Sequence, residues 1–452
     1  MVRSVNPFNG EVLHTYNPLD AKSLSDRIVQ GDQAFESWRE TSFDHRKAGM
    51  IRVAELLEKN RDHYARTITL EMGKPIAQAR AEVEKCAWVC RYYAQEAEGQ
   101  LASRAIATDA QESYVRYDPL GVILAVMPWN YPFWQVFRFA APTLMAGNTA
   151  LLKHASNVWG CGRLLEGIFR EAGFSQGVFQ HLEVGSDKVA GILEHPAVKA
   201  VSLTGSTRAG RAVAAAAGQH IKKAVLELGG SNALVVFEDA ALEPTVETCL
   251  QARFQNSGQS CIAGKRLLLQ SGVADRFLEQ LEHQIRGLKS GDPMDPDTYI
   301  GVMAREDLAA ELEDQLKASL KMGAQLRFGG NRQGAYFEPT LLTGVTPDMP
   351  AFRQETFGPL LAVTVFESEE EALRLSGQTP FGLGVSLFTE DAERARRLIP
   401  RLDEGAVFIN DLVKSDPRLP FGGVKGSGYG RELSEAGIHE FVNAKTVYFK
   451  KQ

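Results

Sequence analysis

The chain is poor in cysteine, has no long apolar run and carries no excess of positive charge, and each shortage removes a class of function. Five cysteines in 452 residues do not make a disulfide framework, and thiols that stay reduced need no even number. Cys86 and Cys90 would share one face of a helix. With no histidine nearby and no Cys-x-x-Cys spacing, they read as buried thiols rather than metal ligands. The nine histidines form no His-Glu-x-x-His pattern, so no metal is expected. No apolar stretch approaches the roughly 20 residues of a membrane helix. The start, Met1-Val2-Arg3-Ser4-Val5-Asn6-Pro7, lacks the apolar core of a signal peptide, so a cytoplasmic protein is expected. A net charge of −6 with no basic run argues against a nucleic-acid partner. Serine-hydrolase chemistry has no Gly-x-Ser-x-Gly elbow to rest on. The usual dinucleotide fingerprint, Gly-x-Gly-x-x-Gly, is missing as well.

What is present is a globular composition, 44% hydrophobic and 23% charged, in a chain long enough for two or three domains. Leu24, Ile28, Gly31, Phe35 and Trp38 recur at helical spacing behind a possible N-cap at Asp20, and further helices are expected over 46–60 and 75–100. The texture then changes. Short apolar runs at 121–127, 149–152, 178–182, 200–203 and 223–226 each end in a loop signal, with helical stretches at 160–171 and 209–218 between them. Buried strands alternating with helices indicate an α/β protein with an open, mostly parallel sheet, whose ligands sit beyond the carboxyl ends of the strands. A second α/β region starts with a strand at 232–237 and runs to about residue 409. Two outlying strands, 112–117 and 440–450, could pair as an arm.

Four segments carry chemistry. Cys261 lies in Gln255-Asn256-Ser257-Gly258-Gln259-Ser260-Cys261, whose polar residues are poor core material, so the thiol is a candidate nucleophile. Glu227, in Leu226-Glu227-Leu228-Gly229-Gly230, is a carboxylate that could activate water at the same point. Pro128-Trp129-Asn130-Tyr131-Pro132 offers an asparagine amide at a strand end, able to donate to an oxyanion. Thr204-Gly205-Ser206-Thr207 follows a strand and opens a helix, where backbone N–H groups can hold a phosphate. Taken singly, each of these has an ordinary structural reading: a core cysteine, a strand-end salt bridge, a stiff loop, a turn.

Taken in order, together with Lys153, Gln354-Glu355-Thr356-Phe357-Gly358-Pro359 and Pro420-Phe421-Gly422-Gly423, these motifs resemble the aldehyde dehydrogenase superfamily over nearly the whole chain. The resemblance implies two Rossmann-like open-sheet domains and a small β oligomerisation arm. A dinucleotide-binding domain would span 1–110 and 118–229, a thiol domain 230–418, a connecting and substrate-tunnel segment 419–437, and the arm 111–117 and 438–452. It implies a homodimer or homotetramer. It also implies a mechanism: Cys261 adds to an aldehyde, Asn130 and the Cys261 N–H hold the oxyanion, a hydride leaves for nicotinamide, and Glu227 activates water against the thioester. Cofactor contacts would fall to Trp129, Lys153, Ser156, Gly205, Ser206, Glu355 and Phe357. Where many members have a glutamate that binds the adenosine ribose, this chain has Ser156. A glutamate would repel the 2′-phosphate, so of NAD and NADP the latter is favoured here.

The segments Leu152-Lys153-His154-Ala155-Ser156-Asn157 and Lys414-Ser415-Asp416-Pro417-Arg418 are similar to the shorter bacterial succinate-semialdehyde dehydrogenases, whose activity would fit 4-aminobutyrate breakdown. A substrate carboxylate needs a cation or several donors. Arg138 is one candidate, with a helix-surface salt bridge as the alternative. The longer semialdehyde enzymes carry a second arginine at the position of Gln255, so another group must help; Ser415 and Arg418 are the candidates. A broad-specificity enzyme, with Trp129, Phe133 and Trp134 lining an apolar pocket, is the competing reading. Glu227 argues against a CoA-acylating enzyme, in which water does not resolve the thioester.

Overall fold

A computed structural model describes residues 1–451. Asp20 caps the first helix, Ala21–Trp38, by accepting from the Ser23 N–H at 2.7 Å, and Ser42 caps Phe43–Lys59 in the same way. The long helix Ile76–Gln100 buries Ala79, Val83, Cys86 and Cys90 on one face, so both cysteines pack as apolar side chains. Two features differ from expectation in this region. Val2–Val5 and Val12–Tyr16 form an antiparallel hairpin where only a lead into helix was expected. An additional helix, Arg61–Met72, follows Phe43–Lys59 almost without a break and ends at Gly73 in the left-handed region, φ 77°.

The first sheet has six strands, in the order Gly428–Tyr429, Lys223–Glu227, Val198–Thr204, Val122–Met127, Thr149–His154 and Phe179–His181. All neighbours are parallel except Gly428–Tyr429, which runs antiparallel with Gly428 opposite Glu227. Part of the expected connecting segment 419–437 is thus an edge strand of this sheet. Val122–Met127 is central and almost entirely buried, which is why it reads as an unbroken apolar run. Its two neighbours leave on opposite sides, creating the crevice at which open α/β sheets hold ligands.

The second sheet has seven strands, in the order Gln325–Phe328, Thr340–Thr343, Leu360–Phe366, Gly264–Gln270, Asn232–Val236, Val385–Phe388 and Val407–Ile409, and only the first pair is antiparallel. Separate apolar clusters fill the two faces of this sheet and the two faces of the first. A three-stranded sheet pairs Glu112–Pro119 with Val442–Phe449 along their full length, with Arg104–Ala105 on the other side. The two outlying strands do pair, but the second begins later than 438, because Ser434–Ile438 is helical. Among the described residues no helix is long and apolar enough to cross a membrane.

Candidate active site

The residues from the two sheets meet at Cys261. The thiol follows three consecutive residues in the left-handed region, Asn256 (φ 55°), Ser257 (φ 50°) and Gly258 (φ 71°). Such a turn persists only when its surroundings hold it. Here the Asn256 N–H donates to Gln78 Oε1 (2.7 Å), the Gly301 N–H to Ser257 Oγ (3.2 Å) and the Ala304 N–H to Gln259 Oε1 (2.9 Å). Lys265 closes the other side: its Nζ donates to the carbonyls of Gly230 (2.6 Å) and Cys261 (2.9 Å) and to Glu355 Oε1 (2.9 Å). Burial pushes the Cys261 thiol up to about 11, against the pull of Arg138 and Lys265.

Asn130 is buried at the carboxyl end of the central strand. Gln135 Nε2 donates to its Oδ1 (3.1 Å), and its own Nδ2 donates to the Gln259 carbonyl (3.0 Å). This fixes which way the amide points and leaves one of its two N–H bonds for an incoming oxygen. The loop is braced by His154. Nδ1 lies 3.1 Å from the Ala155 N–H and 3.2 Å from the Met127 carbonyl, and Nε2 lies 2.9 Å from the Pro132 carbonyl. Burial holds this ring neutral, its pKa pushed down to about 4. Neither Gln135 nor His154 stands out in the sequence, since both act on main chain or amide atoms brought near by folding.

Glu227 ends its strand buried, and among the described residues neither carboxylate oxygen has a hydrogen-bond partner. Burial, then the neighbouring Glu432, hold its carboxyl well above the usual carboxylate range. Glycine is required beside it: a Cβ on Gly422 would lie 2.7 Å from Glu227 Oε1.

Two spaces open from Cys261. The larger, about 450 Å³, is lined by Trp129, Thr204, Gly205, Ser206, Gly229, Glu355 and Phe357. It lies at the carboxyl ends of Val122–Met127 and Val198–Thr204, the crevice the topology creates. Ser206 caps the helix Thr207–Gln219, leaving first-turn N–H groups free to face an anion. A Cβ on Gly229 would lie 2.3 Å from Glu355 Oε2, so any side chain on this wall would have to displace the Glu355 carboxylate. Trp129 meets Phe357 edge to face at 5.8 Å. A flat ring, a ribose and a pyrophosphate fit such a set of surfaces and donors. Lys153 and Ser156 are outside this lining, at the end of the neighbouring strand Thr149–His154; the lysine is buried and Ser156 exposed.

The smaller space, about 170 Å³, lies on the other side of the thiol and is lined by Lys85, Trp134, Arg138, Gln255, Ser415 and Phe421, among others. Gln255, Ser415 and Arg138 are therefore brought together. Arg138 is not free, however: it is ion-paired with Glu432, donates to Thr204 Oγ1 (3.2 Å) and lies over the Phe421 ring at 4.6 Å. Its salt bridge is a buried one, not the helix-surface pair expected as the alternative. Arg418 does not reach this space. It is exposed, pairs with Asp416 at 2.7 Å and stands over Trp88. The expected apolar trio is also separated: Trp129 belongs to the larger space, Phe133 to the core and Trp134 to the smaller space. Lys85, in no motif of the sequence, lines the smaller space and donates to Ser415 Oγ at 2.9 Å.

A probable succinate-semialdehyde dehydrogenase [NADP(+)] of Synechocystis is 47% identical over 450 residues, 99% of each chain. The succinate semialdehyde dehydrogenase [NAD(P)+] Sad of Escherichia coli is 44% identical, covering 98% of this chain and 97% of its own. The crystal structure of succinic semialdehyde dehydrogenase from Streptococcus pyogenes in complex with NADP+ superposes with a TM-score of 0.97 at 37% identity, covering 100% of both chains. Residues 1–447 match the sequence model of the aldehyde dehydrogenase family, and the chain belongs to that family.

Proposed function

We propose that this chain oxidises succinate semialdehyde to succinate with NADP. The observation that carries the reading is the small polar-ended space beside Cys261, which joins Ser415, Gln255 and the Arg138 wall within reach of the thiol. The names of the relatives at 44–47% identity support the same substrate and cofactor.

In this reading the Cys261 thiol gives its proton to solvent water and the sulfur bonds to the aldehyde carbon, giving a thiohemiacetal oxyanion. The free Asn130 N–H and the Cys261 backbone N–H hold the oxyanion. Gly205, Ser206, Glu355, Trp129 and Phe357 hold the dinucleotide, with Lys153 and Ser156 toward its adenosine end, and its nicotinamide, when bound, accepts the hydride. Glu227 takes a proton from water as the water attacks the thioester, and the acid leaves. The carboxylic proton that burial favours on Glu227 must first be lost, so the last step is favoured by alkaline pH. With this reading go a cytoplasmic location and a homodimeric or homotetrameric assembly.

The test is steady-state formation of reduced nicotinamide from succinate semialdehyde, butanal and benzaldehyde, each with NADP and NAD. Succinate semialdehyde with NADP should exceed the uncharged aldehydes by about tenfold or more in kcat/KM. Ser156→Glu should move the cofactor preference about tenfold toward NAD. A wild-type preference for butanal or benzaldehyde would transfer the site to the broad-specificity reading, which the Trp134 and Phe421 rings favour.

A further inference from the structure

Three cations line the small space beside Cys261, and their pairing separates them. Arg138 is ion-paired with buried Glu432, and Lys414 with Asp411. Among the described residues Lys85 has no carboxylate partner. Nearby Glu82 is taken by Lys74 and by the N–H groups of Phe133 and Trp134, while Asp416 is taken by Arg418. Lys85 projects from the helix Ile76–Gln100, with its Nζ 4.3 Å from the centre of the Trp134 ring and 2.9 Å from Ser415 Oγ. An ammonium held by one hydroxyl and one ring face has donors to spare. A carboxylate entering beside it would meet a half-buried charge together with the Ser415 hydroxyl. Gln255, from the segment that leads to the thiol, lines the same space and supplies a neutral amide.

We propose that Lys85, with Ser415 as its hydroxyl partner, is the residue that receives the substrate's remote carboxylate and sets the preference for an acidic aldehyde. The inference rests on the reading of the substrate as a carboxylate-bearing aldehyde. It gives Arg138 a different part: fixed by Glu432 and Phe421, it shapes the wall and adds field without being the principal partner. It also answers why the chain does without a second arginine at Gln255, because the cation comes from another element.

The surroundings of Lys85 add a pH signature. Burial, then the Arg138 guanidinium, push its ammonium down to about 8, against the pull of Cys86, Asp416 and Glu82. An ammonium is charged below its pKa, so recognition of the carboxylate is full at acidic and neutral pH and fades as pH rises through that value. A bound carboxylate delays the loss by raising the pKa.

The experiment compares wild type, Lys85→Met and Lys85→Arg on succinate semialdehyde and butanal, across pH, with thermal melting to establish that each variant is folded. Lys85→Met should lower the ratio of kcat/KM for succinate semialdehyde to that for butanal by about tenfold to a hundredfold, chiefly through KM. Lys85→Arg should restore most of the ratio. In wild type the ratio should decline above about pH 8, and in Lys85→Met it should be flat. Calorimetry of succinate binding gives a second readout, with the same ranking expected. If wild type prefers succinate semialdehyde and Lys85→Met keeps both that ratio and its pH dependence, the role of Lys85 is wrong while the substrate stands. If wild type itself shows no preference, the substrate reading fails and this inference with it.

Discussion

Glu227 shows how a single residue sets stability against activity. Its carboxylate is buried without a hydrogen-bond partner among the described residues and beside a second buried carboxylate, Glu432. Because the folded-state pKa is raised, folding is favoured most below the unfolded value, about 4.3 for glutamate, and that contribution is lost as pH climbs through the folded value. Glu227→Gln removes the titration and keeps the shape. It should raise Tm by about 1–3 °C near pH 8, with the gain vanishing near pH 4. Steady-state turnover should fall by about 10²–10⁴, while a single burst of reduced nicotinamide remains, because the thioester forms and is not hydrolysed. Full turnover in the variant would remove Glu227 from the reaction. At this scale the sequence was informative only where chemistry is linear. Cys261, Glu227 and Asn130 lie in short polar or glycine-rich stretches that no core requires. Lys85 lies between Glu84 and Cys86 on a helix, a setting in which a lysine reads as solvated; only the packing of that helix against the thiol loop turns it inward.

At the scale of elements, the nucleophile depends on a strained turn. Gly258 has φ 71°, and a Cβ there would lie 2.4 Å from the Gly358 carbonyl oxygen and 2.8 Å from an Arg253 nitrogen. Gly258→Ala therefore meets both backbone strain and a clash that no side-chain rotation relieves. We expect a loss of about 1–3 kcal/mol in unfolding free energy, and about a hundredfold in kcat from a displaced thiol. Gly218→Ala is the comparison: it lies in the helix Thr207–Gln219 with nothing within 4 Å of the added carbon, and it should stabilise by about 0.5–1 kcal/mol. Equal effects of the two substitutions would show that the turn is not under strain. The helices and buried strands of the first sheet are legible because amphipathic and fully buried patterns differ so clearly. The hairpin Val2–Val5 and Val12–Tyr16 is not, because its strands are short and largely exposed, and burial is what writes a strand into a sequence. Likewise Gly428–Tyr429 has two residues, too few for any period, and its pairing beside Glu227 is a tertiary event.

On the whole-molecule scale, the two parallel sheets suffice to build the thiol site, yet the three-stranded sheet takes no part in it. Among the described residues its outer strand, Val442–Phe449, is paired only on the side of Glu112–Pro119, and Tyr448 and Phe449 are each 50% exposed. An eight-residue strand with an open edge and aromatic side chains in water invites pairing with other chains unless something covers it. A second copy of this chain, presenting a matching surface, would cover it in the closed and symmetric way that avoids open-ended association. We therefore expect light scattering to give an even multiple of the 49.6 kDa chain mass. Deleting residues 442–452 should shift the protein toward monomer and lower its Tm, since Glu112–Pro119 then loses its long partner. Thiol chemistry in any soluble monomer should persist, because no residue placed around Cys261 comes from that sheet. A full-length chain that remains monomeric at high concentration would leave the exposed edge without the proposed cover. A truncated chain that keeps its mass would move the interface elsewhere on the surface.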